Sequence, residues 1–154
     1  MKTFAAALLA SIFAVLAIGG EDTPKKDEDT PKKDSAKEDL AQAQGKWIQT
    51  FEVGGLKRRQ IKHIEGNKET VSIYQGEELL AQWTVEFEIK RTDNVKIFTF
   101  PNITVTAGEG KGTTTPGPYS YLFQIRDDKW IEVHGLMNND KGTPSLVTYE
   151  RMKE

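Results

Sequence analysis

Apolar and polar residues alternate with a period of two over most of the chain after Lys46, which predicts β-strands. The longest such run spans Leu79 to Lys90, where every second residue from Leu79 onward is apolar and most residues between them are polar. Side chains at positions i and i+2 lie on one face of a strand, so one face of this run should be buried and the other solvated. The first run has Trp47 on its apolar face, with Gln49 as the polar exception.

Similar short runs follow one another, separated by turn-forming residues such as Gly54-Gly55 and Asp127-Asp128. No helical stretch long enough for a parallel crossover lies between them. The pattern therefore predicts an all-β, up-and-down antiparallel barrel of about eight short strands, with an open meander or a sandwich as the alternative. The other predicted strands are Ile61–Ile64, Thr70–Tyr74, Val95–Phe100, Ile103–Ala107, Tyr119–Arg126, Lys129–Leu136 and Leu146–Met152.

The N-terminal segment, residues 1–19, has the pattern of a signal peptide. Lys2 gives it a positive start, an apolar stretch runs from Ala5 to Ile18, and small residues follow at Ala17 and Gly19. We expect cleavage after Ala17 or Gly19, with an uncleaved membrane anchor as the alternative, although the apolar stretch is short of the ~20 residues that span a bilayer. The chain has no cysteine, so an exported domain must be stable without disulfides.

Residues 20–38 are predicted to be a linker. Glu21–Asp27 is repeated without change as Glu28–Asp34, and each unit has a proline and no apolar position to bury. Ser35 begins a short predicted helix that leads to Gln44. We expect residues 21–44 to contribute little to stability, because they offer almost no apolar area. The barrel domain is assigned to residues 39–154.

Short motifs at both ends of this domain resemble those of lipocalins. Gly45-Lys46-Trp47 looks like the Gly-x-Trp signature that opens lipocalins and fatty-acid-binding proteins, and Val147–Lys153 resembles the end of many short bacterial lipocalin-like domains of the calycin type. Ile64–Lys68 and Gly108–Thr114 are similar to an uncharacterised exported domain family expanded in planctomycete bacteria.

The resemblance implies a particular closure of the barrel. In lipocalin-like proteins the tryptophan plugs the closed end and an arginine of the last strand lies across its ring; Trp47 and Arg151 match these positions. The alternative is a core tryptophan and a surface arginine that never meet. Fatty-acid-binding proteins grip a carboxylate with an arginine that Val147 replaces here, so that mechanism is unsupported. The interior is expected to be apolar.

Motifs that carry chemistry are scarce. Gly108–Thr113 superficially resembles a phosphate-binding loop, but Gly112 separates the lysine from the threonine, so a hairpin loop is expected instead. The two histidines, His63 and His134, have no metal-ligand spacing and are interpreted as ordinary strand residues. No nucleophile or paired-acid motif is present, and we predict neither an enzyme, a metal site nor a cofactor.

The one dense basic cluster, Lys57, Arg58, Arg59 and Lys62, is interpreted as a solvated edge that discourages aggregation; an anionic glycan or lipid headgroup is the alternative partner. A formal net charge of -2 gives no general electrostatic attraction to nucleic acid, so no nucleic-acid partner is predicted.

We therefore predict an exported, non-catalytic binding module, located in the periplasm, the cell envelope or outside the cell, that holds a small apolar or amphipathic ligand. The alternative is a protein-interaction or structural module with a solid barrel and no cavity. The predicted ligand-binding residues are Trp83, Phe87, Tyr121 and Phe123.

Overall fold

The computed structural model describes residues 32–137 and 143–153, with side chains from residue 35 onward. The predicted signal peptide and residues 20–31 of the predicted linker lie outside the described residues. The described part begins with helix α1 (Lys32–Ala43). The strands are β1 (Gly45–Val53), β2 (Leu56–Glu65), β3 (Lys68–Gln75), β4 (Glu78–Glu86), β5 (Glu88–Thr92), β6 (Val95–Gly108), β7 (Thr114–Arg126), β8 (Lys129–His134) and β9 (Ser145–Arg151).

Eight of these strands form a closed antiparallel barrel, which confirms the predicted fold class. Each barrel strand pairs with its neighbour along the chain, and β9 returns to pair with β1 through Arg151 opposite Trp47. The ring also requires β4 to pair with β6, and β5 lies outside it, paired with the first half of β6. Antiparallel neighbours need only tight turns, so the short Gly- and Asp-containing separators are sufficient to connect the strands.

Two predicted runs differ from the strands. Leu79 to Lys90 is interrupted at Phe87, whose backbone N–H donates to the carbonyl of Asn67 at 2.9 Å instead of joining the sheet. Val95–Phe100 and Ile103–Ala107 are parts of the single strand β6, because a register irregularity carries the pairing with β7 past Pro101. A proline has no N–H to donate, so the ladder shifts there instead of ending.

Helix α1 closes one end of the barrel together with Trp47 and Arg151. The guanidinium carbon of Arg151 lies 3.9 Å from the Trp47 ring centroid, within the distance at which a cation interacts with a π-face. The same guanidinium donates to the carbonyls of Gln42 and Gln44, both at 2.8 Å, so it also satisfies carbonyls at the helix C-terminus. Trp47 Nε1 donates to the carbonyl of Ala43 at 2.9 Å.

The helix packs against the barrel, and these contacts bear on the expectation that residues 21–44 contribute little to stability. Ala43 is fully buried in the core. Asp39 is also buried, and its carboxylate lies 2.6 Å from Lys96 Nζ on β6. A buried ion pair of this kind is destabilising to break, so we now expect the helix to contribute to stability.

The barrel interior has two halves. The packed half lies next to α1 and is filled by side chains, most of them aromatic, that contact one another in one cluster. The cavity half lies toward the opposite end, where the inward side chains surround open space. The central members of the packed half are Trp47, Ile64, Phe87, Phe98, Phe123 and Trp130.

Candidate functional site

The cavity half encloses a volume of about 580 Å³. Part of its wall is apolar, with Trp83 on β4 and Ile103 on β6 among the lining residues. Another part is polar, and Gln49 and Gln60 are joined there by a hydrogen bond of 2.9 Å. Gln49 shares a strand face with Trp47, so the polar exception in the first predicted run lines the cavity.

A layer of buried charges separates the cavity from the packed half. Lys62 on β2 lies with its Nζ 2.8 Å from Glu69 Oε1 on β3 and forms a second ion pair with Glu132 on β8. All three side chains are at least nine-tenths buried, and all three line the cavity. We call Lys62, Glu69 and Glu132 the charged floor.

Aromatic rings enclose the ammonium group of Lys62. Tyr121 accepts a hydrogen bond from Nζ at 3.0 Å, and the same atom lies 4.6 Å from the Trp130 ring centroid and 4.9 Å from that of Tyr149. Burial opposes the charge of Lys62, but the two carboxylates outweigh it and raise its pKa above the usual value. Lys62 therefore stays protonated and is not a nucleophile at neutral pH.

The pKa values of the two carboxyl groups in the charged floor are shifted in opposite directions. Burial raises the pKa of Glu69, and the attraction of Lys62 offsets only part of this. Burial also acts on Glu132, but Lys62 and a 2.9 Å contact with His134 Nε2 outweigh it and lower the pKa of this carboxyl. Glu132 is thus a stable anion, whereas Glu69 carries its charge at a free-energy disadvantage.

His134 connects the charged floor to the open part of the cavity. Its side chain is 39% exposed and lies on the cavity wall, while the Glu132 carboxylate to which it bonds is buried. Its ring centroid is 4.7 Å from that of Tyr121. The pair is an imidazole oriented by a buried carboxylate.

The expectation of an apolar interior is wrong, because three buried charged side chains line the cavity. Val147 does line the cavity, but a cation is supplied from β2 instead of from β9. The interpretation of the basic cluster as a solvated edge is also wrong for Lys62, because β2 pairs with both β1 and β3 and Lys62 points inward. Lys57 and Arg59 on the opposite face are exposed, as expected.

The four predicted ligand-binding residues fall in both halves. Trp83 and Tyr121 line the cavity. Phe123 is buried in the packed half, where it stacks on Trp130 with ring centroids 5.2 Å apart. Phe87 is buried there too and borders a second cavity of about 590 Å³, beside the break between β4 and β5.

The histidines do not converge. His63 lies on the outer face of β2, opposite Lys46, whereas His134 lies inside the barrel. Within residues 32–137 and 143–153, no group of three or more potential ligand side chains could hold a metal ion. The interpretation of His134 as an ordinary strand residue needs correction, because it contacts Glu132 at the cavity.

Comparison with protein families, curated proteins and solved structures finds no match to this chain. The described helix is too short and too polar to cross a membrane. The site must therefore be interpreted from its own chemistry.

Proposed function

We propose that this chain is an exported, lipocalin-like binding module that holds a small amphipathic ligand in the cavity half of its barrel. The observation that carries the proposal is the cavity of about 580 Å³, since ligand sites in proteins are concave and measure roughly 300 to 1,000 Å³. Such sites combine an apolar wall with a few convergent polar groups, and here Trp83 and Ile103 provide the first while the charged floor provides the second.

The closed up-and-down barrel and the stack of Arg151 on Trp47 support the lipocalin-like assignment. A fold does not imply a function, so the proposal depends on the cavity and not on the barrel. A hollow cavity half gives no support to the alternative of a solid interaction module.

Titration with Nile red, a neutral hydrophobic fluorophore, tests the proposal. We expect saturable fluorescence enhancement that is nearly independent of salt, because a neutral probe has no charge for solvent ions to screen. Trp83→Ala should weaken binding, and Trp83→Phe should restore part of it. Ile89→Ala, on β5 beside the barrel and away from the cavity, is the control and should bind like the wild type. Absence of saturable binding to the folded wild-type protein would contradict the proposal.

An acid–base enzyme is the second candidate, and the contact between Glu132 and His134 favours it. General bases are commonly imidazoles held by a carboxylate within hydrogen-bond reach. The two candidates differ in the fate of the ligand: a binding module returns it unchanged, whereas an enzyme converts it. Mass spectrometry of the ligand that co-purifies with wild-type protein and with His134→Ala distinguishes them, because only an enzyme would retain an altered species in the variant.

A further inference from the structure

Two of the three hydrogen-bond donors of Lys62 are already in use within the protein. An ammonium group has three donors. Glu132 and Tyr121 accept hydrogen bonds from Nζ, and Glu69 lies at ion-pair distance from it. The side chain is enclosed by aromatic rings and paired with two carboxylates, so an anionic group of a ligand would approach this cation against two negative charges.

The acceptors of the charged floor are less completely used. Glu132 contacts Lys62 through one oxygen and His134 through the other. Glu69 contacts Lys62 through Oε1 at 2.8 Å, but this buried oxygen lacks the alignment of a hydrogen bond. A carboxylate offers about four lone-pair sites, so Glu69 retains acceptor capacity at the cavity surface.

The buried carboxylates of the charged floor also outnumber its buried cation. Two carboxylates share one lysine, and among residues 32–137 and 143–153 no other lysine or arginine lines this cavity. His134 is the other basic side chain that these described residues contribute to the wall. In an interior of low effective dielectric, a further negative charge would be repelled and a positive charge attracted much more strongly than in water.

We propose that the cavity selects an amphipathic amine, with the ammonium group seated against Glu69 and the apolar chain along the wall that contains Trp83. This inference rests on the proposed function and names the ligand's chemistry. The ammonium group would supply both the donor that Glu69 lacks and the positive charge that balances the second carboxylate. Hydrogen bonds between ionised partners are the strong ones, so the amine should be the preferred polar group.

Competition against bound Nile red tests the inference with three probes of one chain length: octylamine, octanol and octanoate. At neutral pH these are a cation, a neutral alcohol and an anion, so the apolar contribution is the same and the polar group differs. We expect octylamine to compete at least about tenfold more tightly than octanol, the ratio for one charge-assisted hydrogen bond. Octanoate should compete more weakly than octanol.

Two variants locate the effect. Glu69→Gln keeps the shape of the side chain but removes its charge, and should reduce the preference for octylamine over octanol to about threefold or less. Glu150→Gln, on the exposed face of β9, is the matched control and should keep the wild-type preference. Nile red affinity serves as the check that each variant still forms the cavity.

The outcomes separate the two proposals. If Nile red binds and the three probes compete equally, or octanoate competes best, the amine inference is wrong and the binding module stands. An unchanged octylamine preference in Glu69→Gln would also overturn the assignment to Glu69. If neither Nile red nor any probe binds to the folded protein, the proposed function and this inference fail together.

Discussion

The packed half and the cavity half are built from the same strands, yet one is filled with rings and the other encloses space. In the packed half, Phe98 is fully buried and stacks on Phe87 and Tyr121, with ring centroids 4.1 and 4.8 Å away. In the cavity half, the inward positions of β1 and β2 hold Gln49 and Gln60, which border the open volume. The difference teaches that the densest side-chain packing is concentrated at one end of the barrel.

The charged floor at the boundary is not needed to fill space. Three apolar side chains of similar volume would pack at this level, and replacing a buried ionic group in this way is often neutral or stabilising. The fold therefore does not require buried charge at the surface of this cavity. This is why the charged floor, and not the aromatic cluster, is the basis of the proposed preference for an amine.

Truncation of Phe98 should show the largest contrast between the halves. Phe98→Ala removes a ring that contacts aromatic neighbours on all sides, and we expect a loss of roughly 3 to 5 kcal/mol in the free energy of unfolding. Trp83→Ala removes a larger side chain, but its site already borders open space, so the loss should be clearly smaller. Urea unfolding of both variants measures the difference. Equal losses would mean that the two halves are not energetically distinct.

Removal of the buried cation should have an effect of comparable size. Lys62→Met leaves Glu69 and Glu132 facing each other without a counter-charge, and removing one partner of a buried ion pair destabilises by roughly 3 to 5 kcal/mol. Lys57→Met, on the exposed face of the same strand, is the control and should change stability by less than about 0.5 kcal/mol. A small loss in Lys62→Met would show that the floor is more hydrated than its burial indicates.

The packed half could be predicted from the sequence, because its strands alternate clearly. In the row that contains Val85 and Phe87, every second residue is apolar, and both of these residues are buried. Trp47 and Arg151 were found through the resemblance of two short motifs. In such segments the apolar residues all fall on one face of the strand, so the inward face can be identified without knowledge of the neighbouring strands.

The charged floor could not be predicted, because on its strands the inward face is not the face with the most apolar residues. In β8, alternation alone would place Ile131 and Val133 inside, but Trp130 and Glu132 are the buried residues. The pairing of Trp130 with Tyr149 fixes the register there, and this contact is not local in sequence. The available signal was the spacing of Trp130, Glu132 and His134, which places all three on the same face of the strand. If the large aromatic residue is inside the barrel, the two polar residues must also point inward.

Arg151 tests how the packed half is closed. Arg151→Ala removes the stack on Trp47 and the two hydrogen bonds to the end of α1, and we expect a loss of roughly 1 to 2 kcal/mol. Arg151→Lys should recover part of it, since lysine keeps the charge but not the planar fork. Arg126→Ala is the control, because that side chain is exposed. Thermal and urea unfolding give the comparison. If Arg151→Ala leaves the free energy of unfolding unchanged, α1 is held by Asp39 and Ala43 instead.

The smallest effect should come from Glu69→Gln, and its sign depends on pH. The folded-state pKa of Glu69 is raised above the ordinary value of 4.5, so its contribution to stability is present below that pH and lost as pH rises through the folded-state pKa. Glu69→Gln should therefore raise the free energy of unfolding at pH 7 and have little effect in acid.

Glu132 has a lowered pKa, so its contribution to stability is present above 4.5 and is lost as pH falls through the folded-state pKa. Glu132→Gln should accordingly destabilise at pH 7, with a difference from the wild type that shrinks in acid. Both carboxylates face Lys62, Tyr121, Tyr149 and His134, so urea unfolding between pH 3 and 8 compares them in one environment, and two variants of the same sign at pH 7 would contradict the unequal ionisation of the charged floor.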